Sequence, residues 1–393
     1  LDYADTPQHN VSLRKHQRRP KDHPSHQQYA SLSETPSPVF PMYPDSSSRI
    51  DSCPPTQEFV AMAGVYVGLI HAKSVNDILM VAYNVLEAHR KVLRAGVFYD
   101  FPIGFSASTI LISSSSPAYP HVAEGCNLDG RPVGLFVDFD APRGRNEAVG
   151  EVQAPLLTRV RTVKPIYAAR AVVTGRDIPT PKTLLYKKMP TLSTKAKSLY
   201  IKLHGEPRYN RYCDDPRGNT YHGGIRPLYC DADDLADVAK ALPRDHRPRY
   251  DAESIFWTLY ATLLRVRPER GVETETSERA LRRDWSILAS HTVPGEARSP
   301  IYRDERNALL DCGRWIFVTP FLPEMQDVAD LLLLMLKQVL PSYALMTTRP
   351  PFEDHLHEAL QRLILEYVVA HEANPIPIIP GALRLVGTAN DFC

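Results

Sequence analysis

His246-Arg-Pro-Arg249-Tyr250-Asp251-Ala-Glu253-Ser254-Ile-Phe256-Trp257 is the stretch on which the fold turns. Apolar residues recur at helical spacing from Asp251 to Val266, so it opens a helix whose aromatic side chains pack inward. Working outward, the same period returns at Asp231 to Leu242, Pro323 to Leu340 and Asp354 to His371, which makes the second half largely a helical bundle. Leu331-Leu-Leu-Leu-Met335 is apolar all round and reads as a buried core helix. Upstream, Ile78, Val81, Ala82, Val85 and Leu86 begin one long amphipathic helix that runs from Ser74 to a glycine stop at Gly96. Two short apolar runs follow, Ser108 to Ser113 and Val133 to Val137, each bounded by turn residues or acids. They read as brief strands. The expected fold class is therefore mainly α, a helical bundle with a short β-hairpin-like region.

Of the 393 residues, 46 are Lys or Arg and 45 are Asp or Glu, so no overall charge drives the chain onto nucleic acid or acidic lipid. Proline, at 35, outnumbers glycine, at 19, and nine prolines fall in the first 57 residues beside Ser-rich runs with no apolar period. Residues 1–57 are expected to be disordered, because such a segment cannot bury enough surface to offset its ordering entropy. Six cysteines without a Cys-x-x-Cys pair signal neither a disulfide scaffold nor a zinc ribbon. The apolar uncharged stretch Phe59 to Ala72 is 14 residues, short of a bilayer span. These features predict an intracellular protein, cytoplasmic or nuclear, with no membrane contact.

Residues 176–228 carry eleven Lys and Arg against four acids, interleaved with five tyrosines. The expectation is a solvated basic insertion; it is also the one candidate for nucleic-acid binding, through phosphate contacts and stacking. His204, Cys213, His222 and Cys230 recur at wider intervals than the ligand pairs of zinc sites. Trp257, Trp285 and Trp315 are expected as core anchors.

In order, a long helix, a short strand pair holding Asp138, a loop and the Asp251 helix follow the layout of a protein-kinase C-lobe. The opening stretch resembles the H-x-x-R-H-D-x-E-S-x-F-W run of the fungal-type protein kinases, the FunK family. Leu86-Glu-Ala-His89-Arg90 resembles that family's helix before the catalytic loop, Ile110-Leu-Ile112 its strand after the loop, and Leu135-Phe-Val-Asp138-Phe139-Asp140 its D-F-D. Arg161-Thr-Val-Lys-Pro-Ile-Tyr-Ala-Ala-Arg-Ala-Val172 resembles R-T-G-T-P-x-F-M-A-R-A-V, the close of the activation segment. The resemblance covers roughly residues 70–370. It implies a kinase-like C-lobe over 58–372 with the basic insertion at about 176–228, after the disordered 1–57 and before a C-terminal tail at 373–393.

The same resemblance places the family's H-R-D-I-S-x-G-N-I-L-I on residues 102–112, so Gly104 stands in the catalytic-Asp slot and Thr109 in the metal-binding Asn slot. Glycine cannot orient a nucleophile, and a threonine hydroxyl is a poorer ligand for Mg²⁺ than an amide carbonyl. Asp100 is a candidate substitute base that would need a four-residue insertion, and no Asn follows it five residues on. Asp138 falls in the Mg²⁺-binding slot, and Asp251 maps to the helix residue that ties down the catalytic-loop backbone. Upstream of Ser74 there is no Gly-rich loop and no strand Lys to pair ATP phosphates, so either the N-lobe is lost or this chain begins after it.

The implied function is a pseudokinase or interaction scaffold that binds a protein partner, transfers no phosphate and needs no cofactor. The alternatives are an active or residually active Ser/Thr kinase, using ATP and Mg²⁺ with Asp138 as metal ligand, and a decayed gene copy.

Overall fold

The computed structural model describes residues 66–94, 110–113, 133–136, 166–174, 187–213, 247–289, 306, 309, 313–341 and 352–386. In chain order these form β1 (Tyr66–Gly68), α1 (Val75–Arg94), β2 (Ile110–Ser113), β3 (Val133–Phe136), α2 (Arg170–Thr174), α3 (Thr194–His204) and α4 (Glu206–Cys213). They continue with α5 (Pro248–Arg265), β4 (Val266–Pro268), α6 (Glu275–Ala289), α7 (Arg314–Val318), α8 (Gln326–Val339), α9 (His355–Ala370) and β5 (Ile378–Leu383). The described part is mostly helical, with a few short antiparallel strands. Among the described residues no helix is long and apolar enough to cross a membrane.

Helix α1 forms where the apolar period predicts it. Ser74 Oγ accepts the Asp77 amide at its start, and Lys91 and Arg94 face the carbonyl dipoles of its last turn. Helix α5 begins with Pro248, whose missing N–H is one the first turn leaves without a helical partner anyway. Every residue from Arg249 to Arg265 is buried, so α5 is the central post of the lobe. The rings of Phe256, Trp257 and Tyr260 interlock at 5.0–6.3 Å, and Tyr260 meets Phe317 at 5.4 Å and Phe321 at 6.0 Å. Helices α1, α8 and α9 surround the post and share its core, from Ile78 and Leu86 through Leu332 and Leu336 to Leu360 and Ile364.

β1, β2 and β3 make an antiparallel sheet with Val67 opposite Ile112 and Ile112 opposite Gly134. β3 lies against α1 so closely that a Cβ built on Gly134 would stand 2.7 Å from Val81 O and 2.9 Å from Val81 Cγ1. A backbone carbonyl cannot swing aside as a side chain can. Gly134→Ala is therefore expected to destabilise the protein by about 1–3 kcal/mol through overpacking. A denaturant midpoint at the parent's value would show that β3 does not approach α1 this closely.

Three placements differ from what pattern reading anticipates. The part of the basic stretch that is described, residues 187–213, is both solvated and packed: Lys188, Lys195, Lys197, Lys202 and Arg211 are exposed, while its helices α3 and α4 bury Tyr200, Tyr209 and Tyr212. Trp315 is 76% exposed, because on the short α7 the inward positions go to Phe317 and Val318. Residues 373–393, expected as a tail, contribute β5, which pairs with β4 and is tied to the start of α1 by Ile378 N to Lys73 O at 3.0 Å. Arg384 locks that end, donating to Leu264 O, Pro320 O and both oxygens of Glu273. Residues 1–57 and the helix expected at Asp231 to Leu242 lie outside the described residues.

Candidate functional site

Of the residues singled out from sequence, Asp100, Gly104, Thr109 and Asp138 lie outside the described residues, and Asp251 lies within them. Asp251 sits in the first turn of α5, buried, with its Oδ2 3.0 Å from His89 Nε2 on α1. His89 Nδ1 in turn lies 2.8 Å from His357 Nε2 on α9, and the two rings stack at 5.0 Å with an 11° tilt. Three helices thus meet through a carboxylate and two imidazoles.

A second cluster joins residues 168–172 to α5. Arg170 Nε donates to Glu253 Oε1 at 2.7 Å, and the Arg170 backbone amide and Trp257 Nε1 donate to the same oxygen at 2.9 and 3.1 Å. Ala169 N donates to Ser254 Oγ, and Arg306, stacked over the Trp257 ring, donates to Ala168 O. Burial raises the Glu253 carboxyl, but the charges of Arg170 and Arg249 outweigh it and the group is held below the usual carboxylate range. Two sequence stretches about 80 residues apart, both carrying the family resemblance, are therefore one packing unit.

The largest cluster was not foreseen. Arg90 of α1 uses all five of its N–H donors: Nη1 to Glu358 Oε2 (2.6 Å) and Gln361 Oε1 (2.7 Å), Nη2 to the Tyr212 hydroxyl (2.7 Å) and Asp354 Oδ2 (2.8 Å), and Nε to Asp354 Oδ2 (3.1 Å). Arg208 of α4 grips Glu87 in a two-pronged bond, 2.8 Å on each side, and reaches Glu358 at 3.4 Å. Arg362 donates to Glu358 from one turn along α9, and Tyr200 adds its hydroxyl. The fully buried Glu358 thus faces three guanidinium groups.

Three cations (Arg90, Arg208, Arg362) stand against three anions (Glu87, Asp354, Glu358), which makes the cluster neutral as a whole. Burial pushes the Glu87 carboxyl up, yet the hydrogen bond and charge of Arg208 and the charge of Arg90 bring it down to about 2. Asp354 and Glu358 are lowered by the same competition, with Arg90 the first of the charges that outweigh burial. Burial and then Arg208 press His204 down to about 4, so its ring is neutral. Arg208 donates to His204 Nδ1 at 3.0 Å, which leaves the ring proton on Nε2, 2.6 Å from the Tyr83 oxygen.

A signal for this cluster was present in the sequence. Glu87 and Arg90, and Glu358 and Arg362, are opposite charges one helical turn apart on helices whose other residues are core. What sequence alone does not give is that Arg208, 121 residues from Glu87 and 150 from Glu358, closes the ring. Chemically, the three clusters hold helices together, because their charged groups are buried or half-buried and the carboxylates of Glu253 and Glu358 are met by arginines of other segments. Among the described residues no group of three His, Cys, Asp or Glu is arranged to hold a metal ion. No family model, no curated protein and no solved structure matches the chain.

Proposed function

We propose that this chain is a fungal-type protein-kinase-like helical lobe that works as an interaction scaffold and transfers no phosphate. The observation that carries the reading is the packing of Ala168–Val172 onto the first turns of α5 through Arg170 and Glu253. A kinase-like lobe needs the close of its activation segment seated on that helix, and the two stretches that resemble the family in sequence are the two that touch. His89, from a third such stretch, lies 3.0 Å from Asp251, and the strands β2 and β3 pair antiparallel beside α1, the order that such a lobe requires.

The scaffold half of the proposal rests on Gly104 and Thr109, the residues that the sequence resemblance sets in the catalytic-Asp and metal-binding Asn slots and that offer neither a base nor an amide ligand. Losing a positioned base alone typically removes 10²–10⁴ in rate. Incubation with labelled ATP, Mg²⁺ and generic protein substrates is therefore expected to give background incorporation. Robust transfer that Asp138→Ala abolishes would replace the scaffold reading with an active kinase.

A further inference from the structure

We propose that Asp251, His89 and His357 form a proton-operated latch that holds α1, α5 and α9 together at neutral pH and opens when one more proton arrives. The geometry fixes how many protons the latch can hold. His89 presents Nε2 to the Asp251 carboxylate at 3.0 Å and Nδ1 to His357 Nε2 at 2.8 Å. With the His89 proton on the carboxylate side, its Nδ1 is a lone pair that accepts the N–H of His357 Nε2. That leaves His357 Nδ1 as a bare nitrogen, fully buried, with no hydrogen-bond partner among the described residues.

An additional proton on either ring has one place to end up. Put directly on His357, it becomes a buried N–H without an acceptor. Put on His89 Nδ1, it turns that nitrogen into a donor, so His357 must accept at Nε2 and carry its own proton on Nδ1, with the same result. A buried donor without a partner is costly, and here it brings a positive charge as well. The neighbouring charges pull both ways, Arg90 adding to the penalty and Asp354 and Asp251 relieving part of it. From α1, Arg90 faces the pair, with Glu87 one turn earlier; from α5 comes Asp251, while Arg249 acts on Glu253; α9 itself adds Asp354 and Glu358, both already engaged by Arg90. Tyr212 of α4 and Tyr200 of α3 serve those two carboxylates, and α8 brings its titratable groups elsewhere, Asp327 to His371 and Lys337 beside Lys187.

Burial first, with the Arg90 charge beside it, accordingly holds the His357 ring well below its ordinary value. The folded pKa is depressed relative to an unfolded value of about 6.5, so the stabilisation is present above that pH and is lost as the pH falls below it. For one such group the opening equilibrium rises about tenfold per pH unit below about 6.5. His204 adds an equal increment down to about 4, so a variant at each position separates the two.

Urea melts of the full chain at half-unit steps from pH 7 to pH 5 test the latch. The parent's unfolding constant should steepen below about pH 6.5, His357→Asn should remove one tenfold-per-unit increment, and His204→Asn should remove a different one while leaving the first. A His357→Asn slope equal to the parent's overturns the latch. Should that variant not fold, ¹⁵N spectra of the parent's histidine rings decide: the proposal requires His357 neutral at pH 5.5 with Nδ1 unprotonated, and a ring that titrates near 6.5 refutes it.

Discussion

Glu358→Gln is expected to lower stability by about 3–5 kcal/mol, the penalty typical of breaking a buried ion pair from one side. The substitution keeps the shape and changes two things. It removes the charge that Arg90, Arg208 and Arg362 share, leaving two anions for three cations in a buried space. It also turns one acceptor oxygen into an NH₂ donor, aimed at guanidinium groups that can only donate, whereas the Tyr200 hydroxyl can turn to accept it. Either Arg90 and Arg208 or Arg362 then lose their acceptor, depending on which way the amide faces. Urea melts check it: the midpoint should fall with the slope unchanged, whereas Glu275→Gln, at an exposed pair on α6, should stay within about 0.5 kcal/mol. Equal midpoints for parent and Glu358→Gln would mean that the three arginines are not gathered on this carboxylate.

Acid should not mimic that substitution until the pH is very low. The cluster's carboxyls lie below their ordinary values, Glu87 at about 2, so the stability they lend is present above about 4.5 and lost only as the pH falls toward the folded values. The buried histidines act in a higher window, below about 6.5, and in the same direction. Two separated phases of acid weakening are thus built into one set of helix contacts.

Helices α1, α5, α8 and α9 were legible in the sequence because each exposes its 3.6-residue period over three turns or more. β5 was not, because Ile-Ile-Pro-Gly-Ala-Leu has no alternation and is bent at Gly381, whose φ of 75° suits glycine. The basic stretch misled for a different reason. Charge counting assigns a run of lysines and arginines to solvent, and it has no means of seeing that Arg208 meets acids on α1 and α9. Trp315 misled in the reverse sense: a large ring on a five-residue helix is read as an anchor, but the helix has only one inward face and Phe317 fills it. Of the candidate site, Asp251 was legible as a buried helix-start acid, while its two histidine neighbours were not, since nothing in the spacing of His89 and His357 tells that α1 and α9 pack side by side.

Arg170→Met is the second large effect, again about 3–5 kcal/mol, and its value lies in the cycle it permits. Alone, it strands the fully buried Glu253 with one strong donor fewer and also frees the carbonyls of Val339 and Leu340, which Arg170 Nη2 now satisfies at 2.9 and 3.2 Å. Glu253→Gln alone leaves the opposite problem, a buried guanidinium beside a neutral amide, although the amide oxygen can still accept from the Arg170 backbone amide and from Trp257 Nε1. In the double variant neither stranded charge exists. Its loss should therefore fall short of the sum of the single losses by about 1–3 kcal/mol, the coupling expected of residues in direct contact. Strict additivity in urea melts would mean that residues 168–172 are not seated on α5 by this pair, and the proposal of a kinase-like lobe would lose the contact on which it rests.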